Sequence, residues 1–379
     1  MRRREIIKSI GLGTLFLATN QLLPSKLFGT VLQSQKKDLK NWAWISSGKG
    51  KDIDYWKKKL ENAKANGIDS VLLEVYNSRV AFYDTDRFPV EEDILSKFIP
   101  LCKSIGLELH AWMWTMPCNV DKIVKEHPEW YVVNGKGEPA CEKPAYVDYY
   151  KFLCPCNEEA QEFIRGNVES LAKINEIDGV HLDYVRLPDV IIAIALQPKY
   201  GIVQDREYPQ YDYSYSKSCR EQFKAKSGID PLTDLTDPSA NKEWRQFRYD
   251  SVTNLVNDKL VPTAKKYNKK ISAAVFPNWE NVRQDWKNWD LDCYMPMLYH
   301  NFYNKDISWI AECTHKEINE LKNPRPLYSG LFIPELTATE IKIACTKSVE
   351  AGASGISIFD LNSMDEEKWS AFKMVSKLN

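Results

Sequence analysis

The chain has 379 residues, enough for one large α/β barrel or two ordinary domains, and 44% of them are hydrophobic, enough to bury a sizeable core. Its 51 basic and 52 acidic residues give a formal net charge of -1, which excludes both the basic surface of a nucleic-acid binder and an acidic, solvated tail. Aromatics reach 12%, with 12 Trp and 19 Tyr, a stock that suits a large core and also suits the stacking of sugar rings on indole faces.

The first residues read as an export address over about 1–30. Arg3-Arg4-Glu5-Ile6-Ile7-Lys8 is a charged head, and Ile10 to Ala18 is a short apolar run, the layout of a twin-arginine signal. The run is too short to span a bilayer comfortably. The expected location is therefore periplasmic or extracellular. Nine Cys are scattered along the chain, which is not the pattern of a disulfide scaffold. Cys154-Pro155-Cys156 is the one close pair; without a second pair or a nearby His it reads as structural rather than as a metal site. One disulfide fits an exported protein, but the sequence does not say between which cysteines.

From residue 41 to the C-terminus, strand-like and helix-like runs alternate, the order of parallel βαβ units. Asn41–Ser46 is the first strand. Asp52 caps a helix with Ile53, Trp56, Leu60 and Ala63 on one stripe, ended by Asn66-Gly67. Ser70–Tyr76 is the second strand, and Ile94, Phe98, Leu101 and Ile105 stripe a helix closed by Gly106. Glu108–Trp114 is the third strand. An excursion over 117–156 contains a hairpin expected around Asn134-Gly135. Asn157 caps the next helix, and Gly179–Val185 is the fourth strand. A second excursion, 189–240, is rich in Tyr, Asp, Ser and Pro. It reads as a loop over a barrel mouth because further strands follow: Ile271–Phe276, Asp292–Leu298, Leu327–Phe332 and Gly355–Phe359. A long helix, Trp244–Lys266, and helices near 307–321 and 337–351 separate them. Eight strands in this order predict a single (β/α)8 TIM barrel over 41–379, with long loops over its C-terminal mouth.

Strand alternation sorts the side chains. Val180 and Leu182 suit the helix side of strand four, so His181 and Asp183 point into the barrel, with Asp183 nearest the mouth. On strand two, Leu72, Glu74 and Tyr76 point inward; on strand three, His110, Trp112 and Trp114 do. Barrel interiors are normally filled by branched apolar side chains, so inward acids and histidines ask for a reason. Asp183 and Glu74 are the leading catalytic candidates. His181 is either a site residue or a layer-filling His bonded to a neighbour, and His110 sits deeper and reads as structural. Further mouth candidates are Asn278, Tyr299, His300 and Glu335.

Asp178-Gly-Val-His-Leu-Asp-Tyr-Val-Arg-Leu-Pro188 resembles the signature of a family of bacterial (β/α)8 barrels labelled "family 10 glycosylhydrolase". Phe152–Asn157, Trp244–Asp250, Ser272–Pro277 and Tyr294–Tyr299 extend the likeness over roughly residues 41–362. The resemblance implies hydrolysis of glycosidic bonds in a poly- or oligosaccharide. It aligns Asp183 with the family's strand-four Asp and Arg79 with a loop Arg. Where members commonly carry Gln, this chain has Glu74, which supplies a second carboxylate or marks a different substrate.

Such hydrolysis needs two carboxyl groups flanking the bond. Asp183 among Trp112, Trp114 and Tyr184 has the apolar surroundings of a proton donor; Arg186 nearby would instead keep it ionised, as a nucleophile. Glu74 is the expected partner and Glu335 the runner-up. Trp44, Trp112 and Tyr299 are candidate sugar platforms. No cofactor is implied and no metal-ligand spacing is present. The competing readings are a non-catalytic glycan-binding barrel and an esterase, the latter without a G-x-S-x-G elbow to support it.

Overall fold

The computed structural model describes residues 39–47 and 50–376. The export segment read from the sequence lies outside these residues.

Eight parallel strands carry the architecture: β1 (Trp42–Ile45), β2 (Ser70–Tyr76), β3 (Glu108–Trp114), β4 (Gly179–Asp183), β5 (Lys270–Val275), β6 (Cys293–Pro296), β7 (Tyr328–Phe332) and β8 (Gly355–Phe359). They pair in the order β6-β5-β4-β3-β2-β1-β8-β7. Single parallel bridges, Tyr294 to Leu327 and Met297 to Gly330, join β6 to β7 and all but close the ring. This is the TIM barrel that the alternation of strand and helix patterns predicts. Among the described residues no helix is long and apolar enough to cross a membrane.

Local chemistry sets the boundaries. The Asp52 carboxylate accepts the Tyr55 N–H at 2.7 Å and opens the helix Ile53–Ala65, and Gly67 at φ 94° turns the chain out of it. Asn157 caps Glu158–Ala172, and Thr337 with Glu340 forms a reciprocal capping box on Ala338–Glu350. The long helix expected at 244–266 is present but widens: Lys242–Asn254 is α-helical, Leu255–Leu260 is a π turn, and Val261–Lys266 resumes the α-helix. Pro262 lacks an N–H and crowds the preceding turn, and the wider turn accommodates it.

The two faces of each strand feed two cores. Val71, Leu73, Val75, Leu109, Ala111, Met113, Val180 and Leu182 pack outward against the helices. Trp42, Trp44, Leu72, Trp112, Ala274, Met295 and Tyr328 fill the barrel interior. Tyr76 breaks the expected alternation. The β2–β3 register shifts between Glu74 and Tyr76, so Tyr76 swings outward, stacks on Phe88 at 4.0 Å and donates its hydroxyl to the Ser78 carbonyl.

The two excursions pair with each other, as a cover over the barrel would. Asn134 bridges Tyr213, and a disulfide joins Cys156, at the foot of the first, to Cys219 in the second. The first excursion's turn also differs from expectation: Gly137, not Gly135, takes the left-handed position (φ 81°), and its N–H closes the turn on the Asn134 carbonyl at 2.9 Å. Asp212 in the second excursion is buried between Arg248 and Arg283. Burial pushes its carboxyl up, but the two guanidiniums outweigh that and hold it below the usual carboxylate range.

Candidate active site

A cavity of about 360 Å³ opens at the C-terminal ends of the strands. That is the end at which TIM-barrel enzymes work. Glu74 and Asp183 reach it from the strands on either side of β3. Glu74 on β2 stands level with Trp112 and His181, while Asp183 on β4 stands level with Trp114, one layer nearer the mouth. Two strand spacings and two residues of rise put their Cα atoms roughly 10–12 Å apart, with both side chains leaning into the same space.

Asp183 ends β4. Its Oδ2 accepts the Trp112 indole N–H at 3.0 Å, and its Oδ1 accepts the Tyr184 backbone N–H at 2.7 Å. The second bond exists because Tyr184 adopts φ 52°, a left-handed conformation rare for a bulky residue. The same turn lays the Tyr184 ring on Trp114 at 4.4 Å. Burial is the largest influence on Asp183 and pushes its carboxyl up to about 6; the Tyr184 and Trp112 donors and Arg186 pull it down, and the charge of Glu74 pushes it up. Glu74 is likewise raised by burial, against the Ser47 N–H (3.3 Å) and hydroxyl (3.1 Å) that bond its carboxylate.

Arg186 does not pair with Asp183. Its guanidinium is buried, bonds Asp189 at 3.0 Å and the Tyr150 hydroxyl at 3.2 Å, and lies over the rings of Tyr184 and Phe276. With that guanidinium paired to Asp189, its pull on Asp183 is outweighed by burial.

The cavity brings together Trp44, Glu74, Trp112, Trp114, Asp183, Tyr184, Arg186 and Tyr299. Trp44 is only 1% exposed and its indole N–H donates to His181 Nε2 at 3.2 Å, so it forms the floor rather than a stacking platform.

Five expected site residues lie elsewhere. His181 is 0% exposed beneath that floor, with Nε2 taken by Trp44 and Nδ1 bonded to the Ser272 hydroxyl at 2.9 Å. Burial holds its imidazole neutral, and the ring fills a layer of the barrel below the cavity. Arg79 is exposed and paired with Asp148 at 2.9 Å. Asn278 lines a different cavity. His300 lies near Glu335 and Glu340. Glu335 is exposed and accepts the Asn301 amide. The last two sit on short 3-10 turns after β6 and β7, and neither lines the cavity.

Sequence reasoning missed much of the wall. Tyr149, Tyr150 and Tyr200 arrive from the excursions, Phe302 and Tyr303 from the loop after β6, and Phe332 from the end of β7. The density of Tyr was visible, but irregular loops carry no periodicity that would aim a ring.

The family described as glycosyl hydrolase-like 10 matches over residues 58–345. A curated relative, a glycosyl hydrolase from Bacillus subtilis, YngK, is 24% identical over 243 residues, 60% of this chain; the chain spans 41% of that relative's length. Among solved structures, the catalytic domain of a β-amylase from Paenibacillus polymyxa superposes with a TM-score of 0.63 at 13% identity, covering 90% of this chain and 99% of that one. A β-galactosidase from Marinomonas ef1 gives 0.61 at 12% identity, covering 89% of this chain and 59% of that one. At such identities the structural likeness concerns the fold. The match over 58–345 concerns the family: the chain belongs to the glycosyl hydrolase-like 10 family.

Proposed function

We propose that the protein hydrolyses glycosidic bonds of a poly- or oligosaccharide, with Asp183 as general acid and Glu74 as its carboxylate partner. One observation carries the reading: two carboxyl groups, each raised by burial, face one aromatic-walled cavity at the C-terminal end of the barrel. Burial beside Trp112 and Tyr184 raises the Asp183 carboxyl, which is the environment of a proton donor. Glu74 takes two hydrogen bonds from Ser47, which favour its anion and suit the group that attacks the anomeric carbon or activates water. Trp112, Trp114, Tyr184 and Tyr299 offer rings for the apolar faces of the sugar. Export to the periplasm or beyond, read from Arg3–Lys8 and the apolar run after it, belongs to the same proposal and suits a polymeric substrate.

The test is a screen of the purified protein against a polysaccharide panel, with product and anomer analysis, repeated with Asp183→Asn and Glu74→Gln. Cleavage by the parent and its loss in both variants is the expected result. Cleavage that persists in Asp183→Asn would remove the assignment, and tight glycan binding without cleavage by the parent would make the barrel a binding protein instead.

A further inference from the structure

The two partners of the Asp183 carboxyl share one property. Oδ2 meets the Trp112 indole N–H and Oδ1 meets the Tyr184 backbone N–H, and both groups are donors with no lone pair to offer in return. Among the described residues no other hydrogen bond reaches this carboxyl. Neither donor is free to turn away. The Tyr184 N–H belongs to backbone held at φ 52°. The Trp112 ring is buried in the barrel interior, edge-on to Phe359 at 6.2 Å. Strand register sets Trp112 level with His181, so its indole reaches two residues toward the mouth to meet Asp183.

We propose that Trp112 is a positioning residue for Asp183: its indole N–H, a donor that cannot accept, turns the acid proton out of the barrel wall and toward the glycosidic oxygen of a bound saccharide. The proposal rests on the cleavage reading above. A protonated carboxyl carries one O–H, which needs an acceptor. Trp112 and Tyr184 offer none, and Asp183 is half-buried on the lining of the cavity, so its acceptor is whatever fills that cavity. In the transfer the Asp183 O–H bond breaks and its electron pair stays on the carboxylate. The proton goes to the bridging oxygen, whose bond to the anomeric carbon breaks with the pair passing to that oxygen. As charge gathers on Asp183, the Trp112 bond becomes charge-assisted and strengthens. A bond that strengthens only as the proton leaves lowers the barrier without tightening the ground-state complex, so Trp112 acts on kcat and not on KM. A ring that merely fills space would behave differently. Trp112→Phe keeps an aromatic ring and loses the N–H. If volume alone mattered, water entering the gap would solvate the anion and bring Asp183 down from about 6 toward 3.8; loss of the donor instead pushes it further up.

The experiment follows the carboxyl carbon of Asp183 by NMR in the labelled full chain, its resonance identified by its loss in Asp183→Asn. Trp112→Phe is expected to raise the proton affinity of Asp183 by about tenfold. On a glycan that the parent cleaves, the same variant should lower kcat by about tenfold or more, leave KM within about twofold, and move the basic limb of the pH–rate profile upward in step with Asp183. In the parent, the Trp112 indole N–H resonance should titrate with the midpoint of Asp183 and cease to do so in Asp183→Asn, a readout that needs no Trp112 variant to fold. Trp114→Phe removes an indole from the same cavity without removing a bond to Asp183, and should move its midpoint far less. A midpoint unchanged or lowered in Trp112→Phe, an equal rise in Trp114→Phe, or an indole resonance that ignores Asp183 would each overturn the role of Trp112, and each leaves cleavage through Asp183 standing. Conversely, cleavage that survives Asp183→Asn removes the cleavage reading, while the titration of the indole with Asp183 is measured regardless.

Discussion

Asp183 combines a structural and a chemical burden. Its two hydrogen bonds favour the anion, yet burial outweighs them and holds the carboxyl at about 6, against an ordinary 3.8. The consequence for stability has a definite sign. Between pH 3.8 and about 6 the folded protein keeps a proton that the unfolded chain has already released, so stability falls as pH rises through that window and stays lower above it. Asp183→Asn lacks this deficit. Since Asp183 is half-buried and lines an open cavity, the full conversion at 1.36 kcal/mol per tenfold in proton affinity is discounted to about 1–2 kcal/mol. Thermal melts across pH 4 to 8 should show the variant gaining on the parent up to about pH 6, then a constant difference; parallel curves would show that burial does not control this group. The same variant should lose roughly 10²–10⁴-fold in glycan cleavage, the usual contribution of a positioned acid. In the parent, cleavage should decline above about pH 6 as the acid form disappears, and a rate that keeps rising through pH 8 would assign the proton to another group.

At the level of elements, the site depends on how closely β4 is seated against its neighbours. Gly179 opens β4 with no room for a side chain: a Cβ there would lie 2.4 Å from His110 Nδ1 and 2.6 Å from the Lys270 carbonyl oxygen. The carbonyl belongs to β5 backbone and cannot step aside without moving the strand that β4 pairs with. Gly179→Ala is therefore expected to destabilise the barrel by about 3 kcal/mol, read as a shifted denaturation midpoint, and to lower activity by displacing Asp183 four residues on. A fully stable Gly179→Ala would mean that β4 and β5 are less tightly seated than they stand here. The β2 bulge acts similarly. Without it Tyr76 would enter the mouth beside Glu74; with it Tyr76 anchors the outer core on Phe88 and leaves the space over Glu74 to the cavity.

For the whole molecule, the cover matters as much as the barrel. The disulfide Cys156–Cys219 closes a loop of 63 residues between the two excursions. Chain-entropy reasoning puts its worth at about 4 kcal/mol. Cys154 stands beside it, with its Sγ 3.4 Å from that of Cys219. Loss of Cys156 therefore leaves a second thiol in position, whereas loss of Cys219 leaves none. Cys219→Ser should lower the melting temperature by the full effect, and Cys156→Ser by much less, with mass spectrometry finding a Cys154–Cys219 crosslink. Equal destabilisation in the two variants would show that Cys154 cannot take over.

The sequence by itself determined the barrel, because period-2 and period-3.6 hydrophobic patterns and caps such as Asp52 and Asn157 are local, and eight of them in alternation admit one closed arrangement. It also determined that Asp183 and Glu74 point inward, since alternation along a strand is a local property. Only the tertiary structure decided the rest. His181 and Asp183 share a face, yet one is sealed under Trp44 and the other opens to the cavity, because depth along the barrel axis depends on strand register. Arg186 follows Asp183 closely in sequence, yet it belongs to Asp189 three residues on and to the Tyr150 hydroxyl, which the first excursion brings to it. Arg79, Asn278, His300 and Glu335 all follow strands at the mouth end, and loop conformation, which no periodicity encodes, kept each of them out of the cavity.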